Sequence, residues 1–157
     1  MPVPETQGPI NMFSDDKPHE ECGIVGAYIP EENVAQTLFF GLFALQHRGQ
    51  ESAGIATSKG ERIGIKAKMG LVSQVFREET LSGLPGHLGI GHTRYSTMGG
   101  SKEYNAQPLL ANGQRGQIAV GHNGNVINAA DLRIEMAEEF GATFNKTSDT
   151  EVIAELF

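Results

Sequence analysis

The tightest constraint on folding lies in residues 52–69. The run 52–57 is small and apolar, and Ile63, Ile65, Ala67 and Met69 then fall on alternate positions. Between the two runs stands Ser58-Lys59-Gly60-Glu61, a turn sequence. Strands joined by so short a connection pair antiparallel, because a parallel pair needs a crossover of a dozen residues or more. Further strand-like runs lie at 22–29, 87–93 and 117–123. Helical signals separate them. Pro30, Glu31 and Glu32 open a pattern in which Val34, Leu38, Leu42 and Leu45 recur at helical spacing, with Gly49 as its stop. A weaker pattern covers 71–81, and a stronger one covers 131–140, closed by Gly141. Ser148-Asp149-Thr150-Glu151 reads as a capping box leading a helix over 151–157. Clustered strands with helices packed outside them predict an α+β fold.

Composition narrows the function classes. Twelve Lys and Arg against nineteen Asp and Glu leave a net charge of −7. Binding to nucleic acid or to an anionic membrane surface calls for a basic patch, so neither partner is expected. No apolar run approaches the ~18 residues of a membrane span. A single cysteine, Cys22, cannot form an internal disulfide, and a cytoplasmic location is expected. Glycine is unusually frequent, at 20 of 157 residues, which points to tight turns and close backbone approaches.

Residues 1–21 differ from the rest. They contain four prolines, five acids and one lysine, and so hold most of the net acidity. They lack the positive and apolar regions of a secretory signal. Two readings stand side by side: a disordered tail, or a propeptide. The second matters because Cys22 follows directly. If the tail is removed, Cys22 carries a thiol and a free α-amine, with ordinary pKa values of about 8.5 and 7.7–8.0. One residue then holds a nucleophile and a base poised near neutral pH. On position alone, a small buried cysteine is an equally good reading.

Five motifs occur in order: Cys22-Gly-Ile-Val-Gly26, Leu45-Gln-His-Arg-Gly-Gln-Glu-Ser-Ala-Gly54, Gly91-His-Thr-Arg-Tyr-Ser-Thr97, Gly121-His-Asn-Gly-Asn125 and Ser148-Asp-Thr-Glu151. Together they closely resemble the glutaminase domain of class II glutamine amidotransferases, and within that class the amidophosphoribosyltransferase family. The resemblance runs from Cys22 to Phe157. It implies a four-layer αββα sandwich of the N-terminal-nucleophile hydrolase type, here cut short at its C-terminus. The expected organisation is therefore a propeptide or disordered tail over 1–21 and an incomplete glutaminase domain over 22–157.

The resemblance also implies roles. Cys22 attacks the side-chain amide of glutamine. The Asn123 side chain and the Gly124 N–H stabilise the resulting oxyanion, which needs donors placed in advance. Arg94 binds the α-carboxylate through its bidentate fork, and Asp149 binds the α-ammonium. Thr97 adds a hydrogen bond to substrate, and residues 94–105 form a loop that closes over it. Arg48 and Gly49 hold the chain near the nucleophile, and Gly26 admits close strand packing. His47, His92 and His122 are orienting or core histidines, with no metal-site spacing.

The full family enzyme passes ammonia to a second domain, where it displaces pyrophosphate from phosphoribosyl pyrophosphate in purine biosynthesis. That domain and its Mg²⁺ ligands are expected to lie outside this chain. So are the further cysteines of the iron–sulfur cluster that propeptide-bearing relatives often hold. No cofactor is expected in the segment itself, and the full enzyme is expected to be a homo-oligomer. Two alternatives remain open. One is the glutaminase part of a glucosamine-6-phosphate synthase, against which LQHRGQ and HTRYST count. The other is a catalytically silent glutamine-binding domain whose tail stays attached.

Overall fold

A computed structural model of the chain describes residues 21–95, 103–113 and 116–157. The expected tail, apart from Glu21, lies outside the described residues, as does Thr97.

The turn-joined pair forms as expected. β2 (Ser52–Ser58) runs antiparallel to β3 (Ile63–Met69), with Ser52 opposite Met69 and Ser58 opposite Ile63. β1 (Gly23–Tyr28) and β4 (Leu88–Arg94) complete a four-stranded antiparallel sheet in the order β1-β4-β2-β3. Six of the seven residues of β2 are buried. A central strand covered on both faces needs small or apolar side chains throughout, which is why SAGIATS shows no alternation.

One face of this sheet is covered by α1 (Ala35–Ala44). Val34, Leu38 and Leu42 are fully buried there and meet Ala53 and Ile55 of β2, with Val72, Val75 and Phe76 closing the cluster. The helix approaches closely because β4 presents glycine to it. A Cβ at Gly91 would stand 2.9 Å from the Leu42 side chain, and one at Gly89 would stand 2.7 Å from Leu38. Gly26, expected to admit such a contact, has open space around it.

Helix α1 starts later than expected. Glu31 takes φ 67°, a turn conformation that no helix continues through, and Asn33 Oδ1 accepts the Ala35 N–H at 3.0 Å instead. It ends at Ala44, before Gly49. The weak pattern at 71–81 resolves into two short helices, α2 (Val72–Val75) and α3 (Glu78–Ser82).

A second, two-stranded sheet pairs β5 (Leu109–Gly113) with β6 (Gly116–Val120). β5 was not anticipated. β6 is shorter than the expected 117–123, because residues 121–123 leave the sheet. α4 (Ala129–Phe140) ends at Gly141 in the left-handed conformation, φ 67°, as its sequence requires. α5 (Thr150–Glu155) packs against β5 and stops short of 157. Its start is not a reciprocal capping box. Ser148 Oγ accepts the Thr150 N–H at 3.2 Å, but the Glu151 carboxylate turns away to the N–H groups of Asn145 and Lys146 and to Arg133. Arg133 of α4 also donates to the Ser148 carbonyl at 2.7 Å and lies over the Phe144 ring. The loop leading into α5 is thus fastened by charge and hydrogen bonds.

Candidate active site

Strand register brings the first elements of the site together. Gly23 of β1 pairs with Thr93 of β4, so one step further places Cys22 beside Arg94. Cys22 is half-buried, and its Sγ lies 3.7 Å from the Tyr95 carbonyl. Glycine at 23 is required here: a Cβ would stand 2.7 Å from Thr93 Oγ1. The backbone of Cys22 is held from two sides. Arg48 Nε donates to its carbonyl at 3.3 Å, and Asn123 Nδ2 donates to the same oxygen at 3.2 Å. Arg48 also pairs with the Glu21 carboxylate at 2.8 Å, so it grips the chain on both sides of the Glu21–Cys22 bond.

The remaining groups arrive on loops. A depression is lined by Cys22, Arg94, Gln107, His122, Gly124 and Asp149, with Tyr95, Asn125 and Ser148 at its sides. Arg94 ends β4 and is only 5% exposed. Asp149 directly precedes α5, and its Oδ2 accepts the Val126 N–H at 2.8 Å and lies 3.9 Å from His122 Nδ1. A buried guanidinium and a carboxylate thus face one small depression beside a thiol. That is the charge pattern to hold the two ends of an α-amino acid. Asn123 is exposed and bound to the Cys22 carbonyl by one amide hydrogen, which leaves its second hydrogen for another acceptor.

His92 lies under this site, fully buried. Its Nε2 faces the His122 carbonyl at 3.2 Å, and since a carbonyl only accepts, that nitrogen carries the proton and donates. Burial pushes its pKa down to about 4 from 6.5, and the Arg94 and His122 charges push the same way, against the bond to the carbonyl. It is a neutral core histidine holding the 121–125 loop. His47 is exposed, with its Nδ1 3.1 Å from the Ala44 carbonyl, and so is not a core histidine.

Of the expected site residues, the structure brings Cys22, Arg94, Asn123, Gly124 and Asp149 together. Thr97 and most of the expected closing loop lie outside the described residues. One residue escaped the sequence reading: Gln107, 5% exposed, whose side chain reaches two of the site loops. The available signal was two amides, Asn105 and Gln107, leading into the apolar Pro108-Leu109-Leu110 run. Amides entering a buried segment need partners. Among the described residues, no group of three or more His, Cys, Asp or Glu side chains is placed to hold a metal ion. None of the described helices is long and apolar enough to cross a membrane.

Comparison with known proteins bears on this site. Residues 81–157 match the family of the glutamine amidotransferase domain. The chain is 51% identical over 146 residues to an amidophosphoribosyltransferase of Synechocystis sp., covering 93% of this chain and 30% of that protein. It is 52% identical over 136 residues to an amidophosphoribosyltransferase of Methanocaldococcus jannaschii, covering 86% and 29%. Among solved structures, it resembles the glutamine phosphoribosylpyrophosphate amidotransferase of B. subtilis complexed with ADP and GMP. The TM-score there is 0.74 at 41% identity, over 85% of this chain and 28% of that one. A structure described as the allosteric regulatory enzyme of purine biosynthesis matches with TM-score 0.76 at 43% identity, over the same shares. The chain thus spans about 30% of the length of these two curated relatives.

Proposed function

The chain belongs to the amidophosphoribosyltransferase family and carries its glutamine amidotransferase domain; on that premise we propose that it hydrolyses the side-chain amide of glutamine with Cys22 as an N-terminal nucleophile. The observation that carries this reading is the meeting of Cys22, buried Arg94 and Asp149 around one depression, with the Asn123 amide on the Cys22 carbonyl.

The chemistry begins with removal of residues 1–21, which frees the Cys22 α-amine. The amine takes the thiol proton, and Sγ attacks the amide carbon. Negative charge on the former carbonyl oxygen is met by the free Asn123 amide hydrogen and the Gly124 N–H. As the tetrahedral adduct collapses, the carbon–nitrogen bond breaks and ammonia leaves with the proton held by the amine. Water then attacks the γ-glutamyl thioester, giving glutamate and the free thiol. Arg94 holds the substrate α-carboxylate and Asp149 its α-ammonium, while Thr97 contributes a hydrogen bond. Requiring both charges excludes simple amides.

The wider roles belong to the same proposal. The ammonia would displace pyrophosphate from phosphoribosyl pyrophosphate in a second domain, giving 5-phosphoribosylamine for purine biosynthesis. Residues 22–157 are read as one glutaminase domain. Its layering is supported by α1 on one sheet, α5 on the other, and the backbone of Gly54 meeting that of Gln107 between them. Homo-oligomerisation and a cytoplasmic location rest on the family resemblance alone. An iron–sulfur cluster takes several cysteine thiolates. This chain has one cysteine, assigned here as the nucleophile, so its residues do not fit such a cluster.

A silent glutamine-binding domain is the second reading, favoured by one contact. Arg48 grips Glu21 as well as Cys22, a geometry that suits an uncut chain. Intact mass with a glutaminase assay separates the two. The catalytic reading predicts a mass lacking residues 1–21, turnover of glutamine, and complete loss of turnover in Cys22→Ala. A mass equal to all 157 residues with no turnover selects the silent domain.

A further inference from the structure

The oxyanion donors and the ammonium-binding carboxylate come from separate loops, which neither sheet orders directly. Asn123 and Gly124 follow β6, and Asp149 precedes α5. For both to act on one amino acid, their separation must be held constant. A misplacement of 1 Å costs about 10²-fold in rate. Gln107 is placed to hold it. Its Oε1 accepts the His122 N–H at 2.7 Å, and its Nε2 donates to Thr150 Oγ1 at 2.9 Å. One amide group therefore touches the residue before Asn123 and the residue after Asp149.

The amide is anchored at its own base. The Gln107 backbone carbonyl lies against Gly54 of β2, so closely that any Cβ at position 54 would overlap it. Two residues earlier, Asn105 is fully buried and donates from Nδ2 to Thr147 Oγ1 at 2.8 Å. Residues 105–107 are thus fastened to the sheet on one side and to the approach of α5 on the other. Thr150 is fully buried and Gln107 nearly so, which makes their bond an ordered one in a low-dielectric setting.

We propose that Gln107 is a positioning residue, fixing the spacing between the donors at the amide end of the substrate and the carboxylate at its ammonium end. The inference rests on the glutaminase reading and deepens it. Gln107 need not touch the substrate; it acts through the His122 N–H and Thr150.

The test uses three variants. Gln107→Met keeps the volume and deletes both bonds. Gln107→Glu keeps both, because a carboxylate accepts the His122 N–H with one oxygen and the Thr150 hydroxyl with the other. Thr150→Val deletes one bond and leaves residue 107 unchanged. The expected result for Q107M is a kcat lower by about 10²-fold, with KM changed far less. Its Cys22 should still be alkylated by iodoacetamide at the wild-type rate, since the nucleophile itself is intact. Q107E should recover most of the loss, and T150V should fall between Q107M and wild type. A kcat for Q107M within about threefold of wild type overturns the proposal. So does a Q107E variant no better than Q107M. Hydrogen exchange at the His122 amide decides the same point without turnover. Q107M should raise its rate at least roughly 10-fold, and unchanged protection overturns the proposal. If the wild-type protein fails to hydrolyse glutamine while the exchange result holds, the glutaminase reading fails and the strut stands.

Discussion

The two halves of the molecule are held together by different physics. Around α1 and the four-stranded sheet, the fastening is apolar: Val34, Leu38, Leu42 and Ile55 are fully buried, and glycines of β4 let the helix settle close. Around the 121–126 loop and the approach to α5, side chains bind backbone instead. Gln107 takes the His122 N–H, Asp149 takes that of Val126, Glu151 takes those of Asn145 and Lys146, and Arg133 gives to the Ser148 carbonyl. The difference teaches what each job requires. Apolar contacts are non-directional and stabilise in proportion to area. Hydrogen bonds are directional, so they can set where a loop stands to within a few tenths of an ångström. The core supplies stability, and the stitched loops supply position.

Two substitutions should separate these roles. Leu42→Ala opens a cavity against Gly91 and should cost 2–5 kcal/mol of stability, the usual range for a fully buried leucine. Measured by urea denaturation, that loss should leave kcat per folded molecule close to wild type. A fall in kcat without a loss of stability would erase the division. Asn123→Ala should do the reverse. Removing one oxyanion donor should lower kcat by about 10²–10³, or roughly 2.7–4 kcal/mol. Since Asn123 is exposed, the variant's unfolding free energy should stay within about 0.5 kcal/mol of wild type. An unchanged kcat would remove Asn123 from the oxyanion role.

The same division explains what could be read from the sequence. The β2–β3 pair, the buried stripe of α1 and the Gly141 stop were all legible, because periodicity and turn chemistry are local signals. Cys22, Arg94, Asn123, Gly124 and Asp149 were marked by motif resemblance, and their assembly in one place then followed from strand register and loop return. What stayed hidden was long-range and polar. Gln107 acquires its meaning only from partners 15 and 43 residues away. Glu151 looked like half of a capping box because its spacing from Ser148 was right, yet it found three stronger partners in the preceding loop and in α4. The late start of α1 turns on a single left-handed residue, Glu31, that is not glycine, asparagine or aspartate. Helix-start acidity could not reveal it.

His92 joins the two halves and gives the finest test of their separation. It stands on β4, inside the apolar sheet, yet its Nε2 holds the carbonyl of His122 in the stitched loop. Its pKa falls from 6.5 in the unfolded chain to about 4 in the folded one, chiefly because burial penalises the charged form. Between those values the unfolded state binds the extra proton, so stability rises with pH across that window. The contribution is fully present above pH 6.5 and is lost as pH falls towards 4, by which point the loss amounts to about 3 kcal/mol. His92→Gln can still donate to the His122 carbonyl through its amide but does not titrate. The variant should therefore flatten the pH dependence of the thermal midpoint between pH 7 and pH 4.5, relative to wild type. If instead the two slopes coincide, the acid sensitivity comes from the carboxylates of the stitched loops, and the strand histidine is not the element through which pH reaches the site.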